Sequence, residues 1–411
     1  MDNATHTLVG VLLGEAAAQV ARPGRSGLPV DTRRDLFITL AAIGSNLPDA
    51  DLVLTSFGGD RLDYLLEHRG YTHTLVGALA CALVLLAACA AWLRWRRLAP
   101  ASVDWAWLAG LALLGPLLHL AMDFSNSYGV HPFWPFFNGW FYGDSVFIVE
   151  PLLWACAAPL VFILRTPLAR VLVAVLLAVG LLVPFNLGLA GAGATLILAL
   201  LTAAMLALGR LWRPPPAIAA SILMWVLVTA TFVGAGQLAT ARVEALASAS
   251  FPGAATLDRV LTPTLGNPLC WDLLLVQLEG ERYAVRRGTI ALAPAALPLE
   301  RCRARGPDRV ANVPLEPVPA AGASFLRWHG QFSMPRQVLA QLAATDCEAA
   351  AFLKFARAPW ATRRAAQWLI GDLRFDGGPR PGFADLTVTG TARGCTGHTA
   401  PWLPPRHELL D

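Results

Sequence analysis

Histidines and aspartates carry the chemistry this sequence offers, and they recur in short clusters between long apolar runs. In chain order they are His6 in ATHTLVG, Asp49 and Asp51 in SNLPDADL, His68, Arg69 and His73 in EHRGYTHTLVG, and His119 with Asp123 in LLHLAMDF. Imidazole and carboxylate are the groups that zinc, manganese and iron accept as ligands. A charged side chain at membrane depth costs about 2.5–3.5 kcal/mol on insertion scales, so such groups are rarely there without a partner or a task. His119 and Asp123 are four apart, which a helix turns onto one face, one turn separated. The hexapeptide THTLVG occurs twice, at Thr5–Gly10 and Thr72–Gly77, each time with its histidine beside the start of an apolar run. The copies are too short and too isolated to mark a repeat architecture.

Apolar helices must position these groups. The chain is 55% hydrophobic and 15% charged, with a mean hydropathy of +0.52, which excludes an ordinary soluble domain and points to an integral membrane protein. The net charge of +4 is small and forms no nucleic-acid patch. No cleavable signal peptide is expected, because MDNATH lacks a basic leading region. A helix needs about 20 apolar residues to cross the hydrocarbon core. Eight segments qualify as candidates: Thr7–Ala21, Asp35–Leu47, Leu75–Leu93, Trp105–Ala121, Val146–Leu164, Leu168–Phe185, Ala192–Leu208 and Ala217–Leu238, the first two being the weakest. The expected architecture is a polytopic helical bundle followed by a small α+β soluble domain. Its divisions are 1–155 carrying the His/Asp groups, 156–240 adding helices, and 241–411 outside the membrane.

Arginines set the orientation. Arg22, Arg25, Arg33 and Arg34 follow the first segment, Arg94, Arg96 and Arg97 the third, Arg165 and Arg170 the fifth, and Arg210 and Arg213 the seventh. With eight spans these clusters share one side, which the positive-inside rule makes cytoplasmic. The His/Asp clusters and the soluble domain then lie at the outer face. Pro48 ends the second segment and lets Asp49 and Asp51 turn back toward the bundle. Thr72 is a candidate N-cap with His73 opening the third helix. His131 is expected to face water or headgroups. Glu150 is a candidate supporting group, and Glu15 has no assigned role.

The order THxxxG, PDxD, HRGxTH and HxxxD, followed by a loop with Gly129 and Pro135, resembles the bacterial membrane-bound metal-dependent hydrolases, relatives of the LexA-regulated inner-membrane hydrolases. The resemblance covers about residues 1–155, and GNPLCWDLLLVQ (Gly266–Gln277) is similar to the start of the tail in a longer branch of that family. It implies a hydrolase of the inner membrane that uses a bound divalent metal. On this reading His6, Asp49, Asp51, His73, His119 and Asp123 ligate one or two ions, zinc foremost, with manganese or iron as alternatives. His68, Arg69 and Asp51 handle substrate or protons, Arg69 acting either as an interface anchor or as a fork for a phosphate or carboxylate. A site at the membrane surface suggests an amphiphilic or phosphorylated substrate drawn from the membrane lipids. Two other classes compete: a transporter with a His/Asp path, and a non-enzymatic envelope protein with a structural metal. The transporter would need polar groups through several helices, yet residues 168–187 and 192–208 are almost wholly apolar.

The tail alternates short strand-like runs with turns. WDLLLVQLEGERYAVRRGTIAL predicts two strands around a Glu-Gly-Glu turn, and ADLTVTGTA a further strand. QVLAQLAATDCEAAAFLKFARAPWATRRAAQW has helical spacing interrupted at Pro359. Cys270, Cys302, Cys347 and Cys395 could pair in three ways or stay reduced. Cys81, Cys89 and Cys156 are expected as free thiols within helices. His329, His398 and His407 have no ligand spacing.

Overall fold

The computed structural model describes residues 1–411 except 22, 57–60, 303–312, 314, 377–381, 392–399 and 411, so Arg22, Cys395 and His398 lie outside the described residues. The chain runs α1 (Asn3–Val20), α2 (Val30–Gly44), a 3-10 turn Leu47–Ala50, α3 (Asp51–Ser56), α4 (Arg61–Glu67) and a 3-10 turn Tyr71–His73. Then come α5 (Leu75–Trp95), α6 (Ser102–Phe124), α7 (Pro151–Cys156), α8 (Leu160–Ile163), α9 (Pro167–Asn186), α10 (Ala192–Leu211) and α11 (Pro214–Ser250). The remainder is β1 (Ala255–Thr264), β2 (Asn267–Glu279), β3 (Arg282–Ala291), β4 (Leu326–Pro335), α12 (Arg336–Thr345), α13 (Cys347–Leu353), β5 (Pro359–Arg364), β6 (Gln367–Asp372) and β7 (Asp385–Val388).

Among the described residues five helices, α5, α6, α9, α10 and α11, are long and apolar enough to cross a membrane. A sixth span results if α2 and the segment Leu47–Val53, bent by 56° at their junction, count as one. The eight expected spans therefore become five or six. Polar residues of α1 dilute its hydropathy; His6 and Glu15 are fully buried on its inward face. The segment Val146–Leu164 breaks at Ala157–Pro159 into α7 and α8, an apolar stretch too short to span. Lipid-facing surface is plain on α9, where Leu168, Val171, Leu172 and Val175 are all more than half exposed.

Small residues let the helices around the His/Asp groups approach closely. A Cβ on Gly10 would lie 2.6 Å from the Ala41 carbonyl oxygen, and one on Gly14 would lie 2.4 Å from Ile38 Cα. This GxxxG face brings α1 against α2 as small-residue stripes do in membranes. α2 in turn packs on α6, where Gly115 faces Gly44.

β1 to β4 form an antiparallel meander, with Glu279 opposite Arg282 across the turn at Gly280, as the Glu-Gly-Glu reading predicts. Both faces of this sheet are covered. Leu273 and Leu275 face Ala239, Val243 and Ala247 of α11, while their neighbours Leu274 and Val276 join Phe352, Phe355 and Trp360 on the other side. That division follows from the two-residue period of a strand. α11 continues past Thr240, the expected end of the membrane part, so one helix ties the bundle to the sheet. Beyond Leu353 the expected helical pattern fails: WATRRAAQW is the β5–β6 hairpin, turning at Ala365 (φ 52°) and burying Trp360. Cys270 and Cys302 are joined in a disulfide, Cys347 is also disulfide-bonded, and Cys81, Cys89 and Cys156 are free.

Two loops of the bundle are embedded in the sheet domain. Leu62, Leu65 and Leu66 of α4 belong to its core, and Trp402 donates from Nε1 to the Leu66 carbonyl. Arg357 grips Asp144 through two 2.7 Å hydrogen bonds and also reaches Asp258. Burial alone would raise Asp258, but the charge and hydrogen bonds of Arg357, with Arg406, overcome it and hold the carboxyl at about 2. Glu150 caps α7 at Leu152 N and accepts from Gly266 N, a bundle-to-sheet tie in place of the supporting role expected at the site. His131 is fully buried, stacked 3.7 Å from Trp402, instead of facing water or headgroups, and burial pushes it down to about 3.

Candidate metal centre

Four elements deliver the side chains. Asp2 caps α1 by accepting from Thr5 N, which starts the helix so that His6 points inward from its first turn. The bend after α2 carries Asp49 and Asp51 on and just after the Leu47–Ala50 turn. The Tyr71–His73 turn holds His73, and α6 supplies His119 and Asp123.

The two THTLVG copies fold differently. In the first, His6 lies within α1; in the second, His73 precedes α5, whose cap is Thr74 (accepting from Gly77 N, 2.8 Å) and not the expected Thr72. Thr72 is engaged elsewhere: its hydroxyl donates to Asp51 Oδ2 at 2.9 Å. The glycines share a reason, since a Cβ at Gly77 would sit 2.2 Å from the Tyr71 carbonyl oxygen.

Ligand atoms of Asp49, His73, His119 and Asp123 lie within 4.8 Å of one another, and all four residues are buried. His119 donates from Nδ1 to the Ser45 carbonyl at 2.8 Å, so its Nε2 carries the lone pair. The Thr72 hydroxyl, its proton on Asp51, accepts from His73 Nδ1 at 3.0 Å, which makes His73 Nε2 bare as well. These two nitrogens face each other at 2.9 Å. Asp49 Oδ1 is 3.3 Å from His73 Nε2 and 3.5 Å from His119 Nε2, while Asp123 Oδ2 is 3.2 and 3.5 Å from the same atoms. With both rings neutral, their lone pairs converge beside the two carboxylates, and a cation is what such a set accepts. For ligand bonds of about 2.1 Å, neighbouring donors stand about 3.0–3.4 Å apart in octahedral or tetrahedral geometry, so the residues fit a metal.

A second group, Asp49, Asp51 and His68, shares Asp49 with the first. Asp51 receives His68 Nδ1 (3.2 Å), His73 Nδ1 (3.2 Å), the Thr72 hydroxyl and Arg69 N (3.1 Å). His6 belongs to neither group: neither ring nitrogen makes a hydrogen bond, Nε2 lies 3.3 Å from Asp123 Oδ1, and the ring stacks 3.8 Å from His119. Arg69, expected as an interface anchor or substrate fork, is buried at φ 59°, with Nε 2.9 Å from Asp123 Oδ2, Nη1 donating to Asn126 Oδ1, and the guanidinium 4.7 Å over Tyr128. It steadies Asp123. The Met1 amino group also contacts Asp123 Oδ1.

Several participants carry no sequence signal. Asn3 donates to Asp49 Oδ2 at 2.9 Å, Ser45 contributes only a carbonyl, and Asn126 and Tyr128 act through Arg69. From the sheet domain, Arg374 donates to the Ser127 and Tyr128 carbonyls and so fixes the loop behind Arg69. A cavity of about 400 Å³ opens beside Asp49, His68 and Arg69, walled on its far side by Thr262, Phe375 and Phe383.

Residues 1–192 match the model of a family described as YdjM inner membrane protein. The matched stretch contains every member of the His/Asp cluster and stops at the first residue of α10. With the apolar helices, it supports a multi-pass inner-membrane protein. No curated protein and no solved structure matches the chain.

Proposed function

We infer that the protein is an integral-membrane metal-dependent hydrolase, and the observation carrying this reading is the pair of bare imidazole nitrogens facing each other beside two carboxylates. Asp49, His73, His119 and Asp123 would hold one divalent ion, with Asp49, Asp51 and His68 suited to a second; zinc is favoured by two imidazoles and two carboxylates. Such an ion, when bound, supplies Lewis acidity and activates water for attack on an ester or phosphoester. The chain's own residues do the rest. Ser45 and Thr72 lock the ring tautomers, Arg69 orients Asp123, and with a single ion bound Asp51 holds His68 at the cavity wall, where it can take and return a proton.

The reading of the site as outward-facing is supported by the arginine end of the bundle. Ser26 and Gly27, between α1 and α2, donate to Asp104 at the start of α6, and Arg165 after α8 pairs with Asp31 of α2. These basic loops share one end, and the positive-inside rule assigns that end to the cytoplasm. The substrate is then an amphiphilic or phosphorylated species at the outer leaflet. Lipidomics of cells expressing the wild-type protein or His119→Ala tests it. One lipid or phosphorylated species should accumulate in the variant; identical profiles, with both proteins present at equal levels, count against hydrolysis.

A further inference from the structure

The cavity beside Asp49 is one of two openings onto the same carboxylate. The other is a groove on the outer flank of the bundle between α1 and α2, lined by Thr7, Ala42, Ile43, Asn46 and Leu47. Asn3 and Asp49 line both. A polar ladder runs along the groove into the centre: Asn46 donates to Thr7 Oγ1 at 3.1 Å, and Asn3 donates to Asp49 Oδ2 at 2.9 Å and stands 3.5 Å from Asn46 Oδ1. Beside this ladder Ile43 is 48% exposed on an apolar flank. The roofed cavity has a different character. Its far wall comes from the sheet domain, where Phe383 is 41% exposed and packs edge-on to Phe375 (4.7 Å) and Tyr64 (6.2 Å). At about 400 Å³ it has the size and the mixed aromatic and polar lining of a small-molecule site.

We propose that the substrate is a two-part amphiphile that occupies both openings, its acyl chain in the α1/α2 groove and its polar head under the sheet domain, with the scissile bond at Asp49. A wholly water-soluble substrate would need only the roofed mouth; the groove reaches the same carboxylate along the flank of α1 and α2, where Ile43 is exposed. The head is then selected by Thr262, Phe375 and Phe383, which lie outside the family-matched residues 1–192. The chemistry at the centre belongs to the matched part, and the choice of head group to the rest. This proposal rests on the hydrolase reading, so its test is made on binding, without turnover.

The full-length protein is placed in phosphatidylcholine nanodiscs containing phosphatidylglycerol that bears a diazirine either near the carbonyl end of one acyl chain or on the head group. After photolysis, labelled residues are mapped by mass spectrometry. The acyl probe should label Ile43 and Leu47 at least fivefold above the exposed α9 face at Leu172 and Val175, and the head-group probe should label Phe375 and Phe383. Ala42→Trp, which fills the groove, should lower both labels at least fivefold. Phe383→Trp should lower the head-group label alone, which guards against a groove variant that merely misfolds. Head-group labelling absent from the sheet domain, or glycerophosphate displacing the label as well as unlabelled lipid does, overturns the proposal. Labelling that persists where no hydrolysis is found leaves the binding inference standing and removes only the catalytic reading.

Discussion

The two ends of the bundle handle buried charge in opposite ways. At the arginine end the buried carboxylates meet donors: Glu15 is paired with Arg34, and Asp104 accepts from Ser26, Gly27 and Ala101. At the other end Asp49, Asp123, His73 and His119 crowd together with bare acceptors facing one another. The first end is complete as protein. The second is a set of potential ligand atoms held in place by donors standing behind them, an arrangement that could hold a cation.

Breaking each end should therefore have different consequences. The largest effect is expected from Asp123→Ala or His119→Ala, which should remove nearly all metal from the purified protein by elemental analysis while far-UV circular dichroism stays helical; full metal content would refute the centre. Glu15→Leu leaves the half-buried Arg34 without its carboxylate partner and should cost about 1–3 kcal/mol in denaturant unfolding, with metal content unchanged. Adding Arg34→Met should recover most of that loss. Arg69→Gln removes a support and no ligand, so metal affinity should weaken about 10–100-fold with full loading still reachable in excess metal. A competitive chelator titration reads this, and an unchanged affinity would show that Arg69 does not act through Asp123.

The smallest expected effect comes from a carboxylate outside both ends. Burial, reinforced by the charge of Asp385, pushes Asp376 in the sheet domain up to about 6. An acid raised in the folded state contributes stability that is complete below its unfolded value, near 4, and is lost as pH rises through about 6. Asp376→Asn should thus raise the melting temperature by about 2 °C at pH 7.5 and leave it level or lower at pH 4.5. The reverse order would mean that a cation already neutralises this group.

Much of the centre was readable as residue types. His6, Asp49, Asp51, His68, His73, His119 and Asp123 stand out because ionisable groups are rare beside apolar runs, and the i, i+4 spacing of His119 and Asp123 fixes their common face. Span counting was less reliable, because hydropathy does not register a proline break such as that at Pro159 or a helix such as α1 whose polar side faces inward. Arg69 was legible as important, but its contact with Asp123 was not: nothing local distinguishes an arginine aimed at substrate from one set against a carboxylate.

By itself, the sequence determined that this is a membrane protein with a His/Asp cluster at one end and a sheet-containing tail, because composition, hydrophobic period and turn residues act over short stretches of chain. Only the tertiary structure decided which atoms face one another. The Ser45 carbonyl on His119 and the Thr72 hydroxyl on Asp51 join residues 74 and 21 positions apart, and His68 and Phe383, hundreds of positions apart, line one cavity. Ring tautomer and cavity shape depend on those contacts alone, since a hydrogen bond or a packed wall is set by distance in space and leaves no periodic trace along the chain.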